Sequence, residues 1–289
     1  MLRKTPGYDD MKEETIKYKT PLVYYGGKQR IADWICSMIP KHRIYCEPFF
    51  GGGAVFFTKA PSFLEVINDK NECLVNFYLQ IQNHFEELAA KINTTLYSES
   101  MYLRAKLIYD GKIQVDDLDK AVATWIVFTQ SRMGGAKAGW KYDNGTDGSH
   151  CGIVELHNRQ NFCPWIQKRL SKVQICCSDA LKVIRNRDTA DTFFYLDPPY
   201  PGTNQGHYGG YTFDDLENLL CCLQNIKGKF ALSNYPSTLI DHYVQLMGWN
   251  IYTKTMKKDS VMARQKGAKK MEILLTNYIP PSTTQLTLF

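Results

Sequence analysis

The chain of 289 residues reads as an α/β protein, an open sheet with an inserted, mainly helical region. Three observations lead there. Short strand-like runs recur near Ile44, Val66, Ile175, Phe194, Phe230, Ile251 and Ile273, with helical patterns after most of them, the alternation that gives sheets covered by helices. Gly51, Gly52 and Gly53 follow the first run directly, where an open α/β sheet brings its main chain closest to a ligand. Between the second and third runs the period turns helical, most clearly from Asp116 to Arg132.

Taken in order, Met1 to Lys19 is a charged opening without the apolar core of a signal peptide, and residues 1–20 are read as a tail. Two units follow, one set inside the other: a main body over 21–80 and 172–279, and an insert over 81–171. A hydrophobic content of 44% is ample for a packed core.

The first strand, Ile44-Tyr45-Cys46-Glu47, runs into Pro48-Phe49-Phe50-Gly51-Gly52-Gly53. The second, Leu64 to Asn68, ends at Asp69, the position and chemistry of a carboxylate that grips ribose hydroxyls. The glycines do not follow the G-x-G-x-x-G spacing and no phosphate-binding lysine comes after them. A dinucleotide and ATP are therefore disfavoured, and a nucleoside without phosphates is expected.

In the insert, Leu118, Val122, Trp125, Ile126 and Phe128 are expected to form the buried stripe of the Asp116–Arg132 helix. The loop from Met133 to Gly152 then interleaves glycines with Lys137, Trp140, Lys141 and Tyr142, a basic-aromatic surface suited to a nucleic-acid groove. Arg132 has two readings, guanine or phosphate, and the sequence leaves both open.

The fourth strand, Phe193-Phe194-Tyr195-Leu196, ends in Asp197-Pro198-Pro199-Tyr200. An exocyclic amine on adenine or cytosine is a poor nucleophile because its lone pair is delocalised into the ring. A carboxylate such as Asp197 accepts one N–H, a carbonyl such as that of Pro198 accepts the other, and the lone pair is localised on nitrogen. The prolines hold these acceptors in place, and Tyr200 offers a face for a base rotated out of the duplex. By themselves the four letters also suit a proline turn closing a buried strand.

Further on, Thr212 and Asp215 form a capping box for a helix whose Leu216, Leu219, Leu220 and Leu223 face the core. Ser237 is read as the cap of a helix that stops at Gly248. The net charge of +6 is modest, but Lys254, Lys257, Lys258, Arg264, Lys266, Lys269 and Lys270 cluster between the last two strand-like runs, as phosphate contacts require.

Nine cysteines without a Cys-x-x-Cys spacing read as reduced thiols of a cytosolic protein. Cys176-Cys177 and Cys221-Cys222 are expected at apolar strand and helix positions. The spacing of His150, Cys151, His157 and Cys163 matches no common zinc motif, so no metal is expected. No run is long enough to cross a membrane.

Several blocks now fall in one order: Tyr24-Tyr25-Gly26-Gly27-Lys28, Glu47 to Phe56, Asn68-Asp69-Lys70-Asn71, Ser178-Asp179-Ala180, Asp197-Pro198-Pro199-Tyr200, Leu232-Ser233-Asn234-Tyr235 and Glu272 to Tyr278. Together they resemble the Dam-type N6-adenine-specific DNA methyltransferases. The resemblance implies a Rossmann-like methyltransferase fold with an inserted target-recognition domain, S-adenosylmethionine as donor with S-adenosylhomocysteine as product, and double-stranded DNA as substrate. It assigns Tyr24, Gly27, Gly51, Gly52 and Gly53 to the cofactor's methionine end, Asp69 to its ribose and Asp179 to its adenine, and counts Glu47, Pro48, Phe49 and Ala180 among the cofactor-binding residues. Lys28 matches a lysine close to both cofactor and DNA. Asp197, Pro198, Pro199 and Tyr200 would be catalytic. Arg132, Lys137, Lys141, Lys257, Lys258 and Arg264 would meet DNA. Thr129 to Gly134, followed by Gly139, is similar to the family's recognition block but carries Gln-Ser where Asn is usual, so the family's target sequence does not carry over.

Residues 280–289 form a second tail, whose Gln285, Leu286, Leu288 and Phe289 resemble the short peptide that binds the bacterial sliding clamp. Rival readings are methylation of the cytosine N4 amine or of RNA, and a DNA-binding module without turnover.

Overall fold

The computed structural model describes residues 19–144, 150–202, 210–257 and 269–281, without the side chains of residues 133, 257, 269 and 270. All seven predicted strands are present in it. They are β1 (Ile44–Glu47), β2 (Leu64–Asn68), β3 (Gln174–Cys176), β4 (Thr192–Leu196), β5 (Lys229–Asn234), β6 (Asn250–Lys257) and β7 (Lys269–Thr276). They form one sheet in the order β3-β2-β1-β4-β5-β7-β6. The first five are mutually parallel, while β7 runs antiparallel to both β5 and β6.

This order fixes where a ligand can bind. From β1 the chain moves outward to β2 and β3, then returns to the other side of β1 for β4 and β5. β1 and β4 therefore flank the topological switch point, and the loops beyond their carboxyl ends part to leave a crevice. The register Ile44↔Thr192 brings the Glu47-Pro48 turn beside Asp197. β4 is buried at all five positions, as its unbroken apolar run requires when both faces are covered.

Eleven helices are described: α1 (Ala32–Met38), α2 (Ala54–Thr58), α3 (Glu72–Asn83), α4 (Phe85–Asn93), α5 (Glu99–Tyr109), α6 (Asp117–Gln130), α7 (Cys151–Gln160), α8 (Pro164–Leu170), α9 (Ala180–Arg187), α10 (Phe213–Leu223) and α11 (Thr238–Met247). On one face Leu196, Leu232 and Leu275 pack with Leu216, Leu219, Leu220 and Leu223 of α10 and Ile240 of α11. The capping box of Thr212 and Asp215 is formed. Ser237 caps α11, which stops at Gly248 in the left-handed conformation.

The other face carries the inserted helices. Phe193, Tyr195 and Leu274 of the sheet join Phe77, Phe85, Leu88, Trp125 and Phe128 in one continuous core. α6 departs from the expected stripe. Asp116 caps it as expected, but Ala121 and every residue from Ala123 to Gln130 are buried, whereas Leu118 and Val122 are only partly so. The reason is position: α6 packs against α3, α4, α5 and α7, so its second half has no solvent face.

The cysteine pairs also depart from expectation. Cys177 and Cys221 are exposed and Cys176 and Cys222 only partly buried. β3 is an edge strand that ends at Cys176, and Cys221 lies on the side of α10 away from its leucine face. All nine thiols are free. His150 caps α7 through its side chain, and the Cys151 N–H donates to Asp143 at 2.6 Å. Among the described residues no group of three or more His, Cys, Asp or Glu is placed to hold a metal, and no helix is long and apolar enough to cross a membrane.

Candidate active site

The crevice is lined by the loops after β1, β2, β3 and β4. Asn68, the buried last residue of β2, joins three of them. Its amide donates to the carbonyl of Pro48 at 2.9 Å and to that of Ser178 at 3.1 Å, and its Oδ1 accepts the Ser178 N–H at 2.9 Å. Sequence reading treated Asn68 as a strand end. A polar side chain closing an apolar strand was the signal for its role.

The glycine turn is held by its main chain on both sides. The Gly51 N–H donates to Asp69 Oδ2 at 2.8 Å, and the Gly51 carbonyl accepts from Tyr78 Oη at 2.8 Å. Gly51 has φ +50° and Gly53 φ +66°, left-handed values that other residues rarely adopt. A Cβ on Gly51 would lie 2.6 Å from the Tyr24 ring, and one on Gly53 would lie 2.4 Å from the Phe50 ring. The turn thus admits Tyr24 at close quarters, and Tyr24 stacks on Phe128 of α6 with centroids 5.2 Å apart. Gly27 would set a Cβ 3.0 Å from the Tyr24 carbonyl.

Asp69 has its carboxyl pushed up by burial and partly restored by the amides of Asn71 and Gly51. Its oxygens accept the backbone N–H groups of Gly51 and Asn71, with that of Lys70 also bearing on the carboxylate, fewer than the four lone-pair sites of the group. Glu47 is deeply buried and accepts from Tyr45 Oη at 2.6 Å; desolvation pushes its pKa up to about 8. Phe49 meets Tyr211 edge to face. Asp179 is exposed and caps α9, whose first residue is Ala180, accepting the Lys182 N–H at 3.0 Å.

Asp197 lies immediately beyond β4 with Pro198 buried behind it. Lys28 Nζ donates to its two oxygens at 2.7 and 2.9 Å and to the Gly26 carbonyl at 3.3 Å. Burial raises the Asp197 carboxyl above its ordinary range, Lys28 pulls it back, and Glu272 opposes that pull. The Tyr200 hydroxyl lies 2.9 Å from Glu272 Oε2 and 3.2 Å from Asp197 Oδ1. Glu272, on β7, is 1% exposed. It is the lone carboxylate of the otherwise apolar stretch Met271–Leu275, a signal that sequence reading quoted but did not use. The Tyr200 ring is not an open platform: Lys28 Nζ lies 4.8 Å from its centroid, and Tyr235 meets it edge to face at 4.6 Å.

The basic residues divide. Arg132 and Lys137 are exposed and Lys141 is partly buried. The Arg132 guanidinium lies 5.0 Å from the Tyr142 ring centroid. Gly134 packs so closely on Val23 that a Cβ would stand 2.5 Å from its carbonyl, and its own carbonyl accepts the Tyr25 N–H at 3.1 Å. The loop after α6 is thereby fastened beside the crevice. Lys257 ends β6. Lys258, Arg264 and the tail peptide Gln285, Leu286, Leu288 and Phe289 lie outside the described residues.

The family model of the D12 class N6 adenine-specific DNA methyltransferases matches residues 24–259. The chain is 26% identical over 270 residues to a type II methyltransferase of Lactococcus lactis subsp. cremoris, covering 88% of this chain and 93% of that one. It is 27% identical to a type II methyltransferase of Methanocaldococcus jannaschii, covering 91% and 100%. It is 24% identical to a DNA adenine methylase of Vibrio cholerae, covering 93% and 99%.

Proposed function

The chain belongs to the D12 class N6 adenine-specific DNA methyltransferases, and we propose that it takes its methyl group from S-adenosylmethionine and places it on the N6 amine of an adenine turned out of double-stranded DNA. The family description names adenine and DNA, so the cytosine and RNA readings fall away. The observation that carries the proposal is the position of Asp197, at the carboxyl end of β4 and across the switch point from the glycine turn.

The donor set suits this cofactor. Asp69 and Asp179 stand beyond the ends of two neighbouring strands, carboxylates that favour a cationic nucleoside and disfavour phosphates, and Glu47 ends the strand beside them. Asp69 keeps lone pairs for ribose hydroxyls, and Tyr24, Gly27, Pro48 and Phe49 border the methionine end. S-adenosylmethionine, when bound, supplies an electrophilic methyl group.

The chain's own residues prepare the amine. One N6 hydrogen is accepted by Asp197 and the other by the Pro198 carbonyl, which draws the lone pair onto nitrogen. Pro198 and Pro199 keep the acceptors from drifting. Asp197 takes the proton that N6 sheds on methylation. Because Lys28 holds both Asp197 oxygens and covers Tyr200, it must yield one oxygen as the base arrives, after which Tyr200 and Tyr235 border the ring.

Residues 81–171 act as the recognition part, with Arg132, Lys137 and Lys141 meeting DNA beside the crevice. Lys257, Lys258 and Arg264 contact phosphate as well, and the terminal peptide engages a sliding clamp. Calorimetric titration with S-adenosylhomocysteine tests the cofactor assignment. Asp69→Ala should weaken binding by about tenfold, the loss of hydrogen bonds to a charged group. Undetectable binding to the unaltered protein would refute the assignment.

A further inference from the structure

Tyr200 has one hydroxyl proton and two carboxylates within reach, with Glu272 Oε2 at 2.9 Å and Asp197 Oδ1 at 3.2 Å. A single proton makes one strong hydrogen bond, and the shorter contact is to Glu272. This choice matters because Asp197 Oδ1 already accepts from Lys28 at 2.7 Å. A second donor on that oxygen would withdraw electron density from the acceptor that must polarise the target amine.

We propose that Glu272 is a positioning residue for methyl transfer, which holds the Tyr200 hydroxyl away from Asp197 and so keeps an Asp197 oxygen open to the amine. The inference rests on the assignment of Asp197 as amine acceptor. The sheet supports it: β7 is antiparallel to β5, with Asn234 opposite Ile273, so Glu272 stands beyond the carboxyl end of β5, level with Tyr235 and next to the loop that carries Tyr200. Glu272 is also nearly sealed from solvent. A carboxylate so buried calls for a hydrogen-bond donor, and the Tyr200 hydroxyl supplies one.

Without Glu272, the Tyr200 hydroxyl turns to Asp197 and competes with the amine. Removing that hydroxyl should then abolish the effect of losing Glu272. The experiment is a double-mutant cycle on the full chain with Glu272→Ala and Tyr200→Phe. It measures kcat and KM for labelled methyl transfer to unmethylated bacterial DNA, with a thermal melt of each variant.

Glu272→Ala alone should lower kcat by roughly tenfold or more, the size of a hydrogen bond to a charged group, with KM for DNA little changed. In the Tyr200→Phe background the same change should have no further effect. Glu272→Gln, whose amide oxygen still accepts from Tyr200, should recover most of the loss, and Glu272→Met, which has no such acceptor, replaces the alanine variant in the cycle if that variant does not fold. Equal losses in both backgrounds, or no loss in either, overturn the proposal while leaving the functional reading intact. Failure of the unaltered protein to form methyladenine overturns both.

Discussion

Lys28 and Asp197, 169 positions apart in the chain, meet through two hydrogen bonds of 2.7 and 2.9 Å, with the lysine side chain 7% exposed and the carboxylate 19%. The cation balances the carboxylate at the crevice, and the same contact occupies the atoms that the amine must reach. Lys28 therefore affects both the stability of the resting site and its readiness for substrate.

The first consequence concerns Asp197→Ala. It removes an acceptor aimed at the reacting nitrogen and should lower methyl transfer by about 10²–10³-fold. It also leaves Lys28 buried without its partner, which costs about 3–5 kcal/mol when the group is fully enclosed. A clear drop in melting temperature is expected, and Lys28→Met added to Asp197→Ala should restore much of it. Thermal melts of the two variants check this.

The second concerns pH and activity. Methyl transfer needs Asp197 ionised, and burial raises its carboxyl above the ordinary range while Lys28 draws it down. The acid limb of the kcat profile should therefore stand above that of an ordinary aspartate. Lys28→Met should move the limb to higher pH still. A profile that does not respond to Lys28→Met would separate the acid limb from Asp197.

A third follows from Glu47, whose pKa is raised by burial from 4.5 to about 8. Between these values the native chain keeps a proton that the unfolded chain has lost, so stability falls as pH rises across the window. The contribution of Glu47 is complete below the unfolded pKa and gone above the folded one. Glu47→Gln should flatten this part of the stability curve, giving its largest gain over the unaltered protein above pH about 8. Urea denaturation midpoints measured across the window check the slope.

The fourth concerns the glycine turn. Gly51→Ala combines a left-handed φ of +50° with a Cβ 2.6 Å from the Tyr24 ring. Strain and overpacking of this kind cost about 1–3 kcal/mol, and the main damage should fall on cofactor affinity because Tyr24 and Asp69 both bear on Gly51. Tyr24→Ala in the Gly51→Ala background should recover stability but not affinity, read by melting temperature and by titration with S-adenosylhomocysteine.

The seven strands were legible because each is a short apolar or alternating run bounded by polar or turn residues, and the Asp-Pro-Pro-Tyr turn was legible as the close of the unbroken apolar run of β4. Asn68, Lys28 and Glu272 lay in quoted motifs, as did their partners, but the pairing of one motif with another was not legible. Asn68 bonds to Ser178, Lys28 to Asp197, and Glu272 to Tyr200, and each pairing depends on strand order, which local sequence does not encode. α6 misled for a related reason: a helix packed on every side loses the one-sided pattern by which a stripe is recognised. The cover that Lys28 places over the Tyr200 ring was equally hidden, because it comes from a segment far upstream.

The central claim is that this chain methylates adenine in DNA at Asp197. The most direct measurement supplies labelled S-adenosylmethionine and unmethylated bacterial DNA to the unaltered protein and to Asp197→Ala, then digests the DNA to nucleosides. The account predicts label in N6-methyladenine at one short motif from the unaltered protein and almost none from Asp197→Ala. Label in cytosine, no label at all despite DNA binding, or equal label from the two proteins would contradict it.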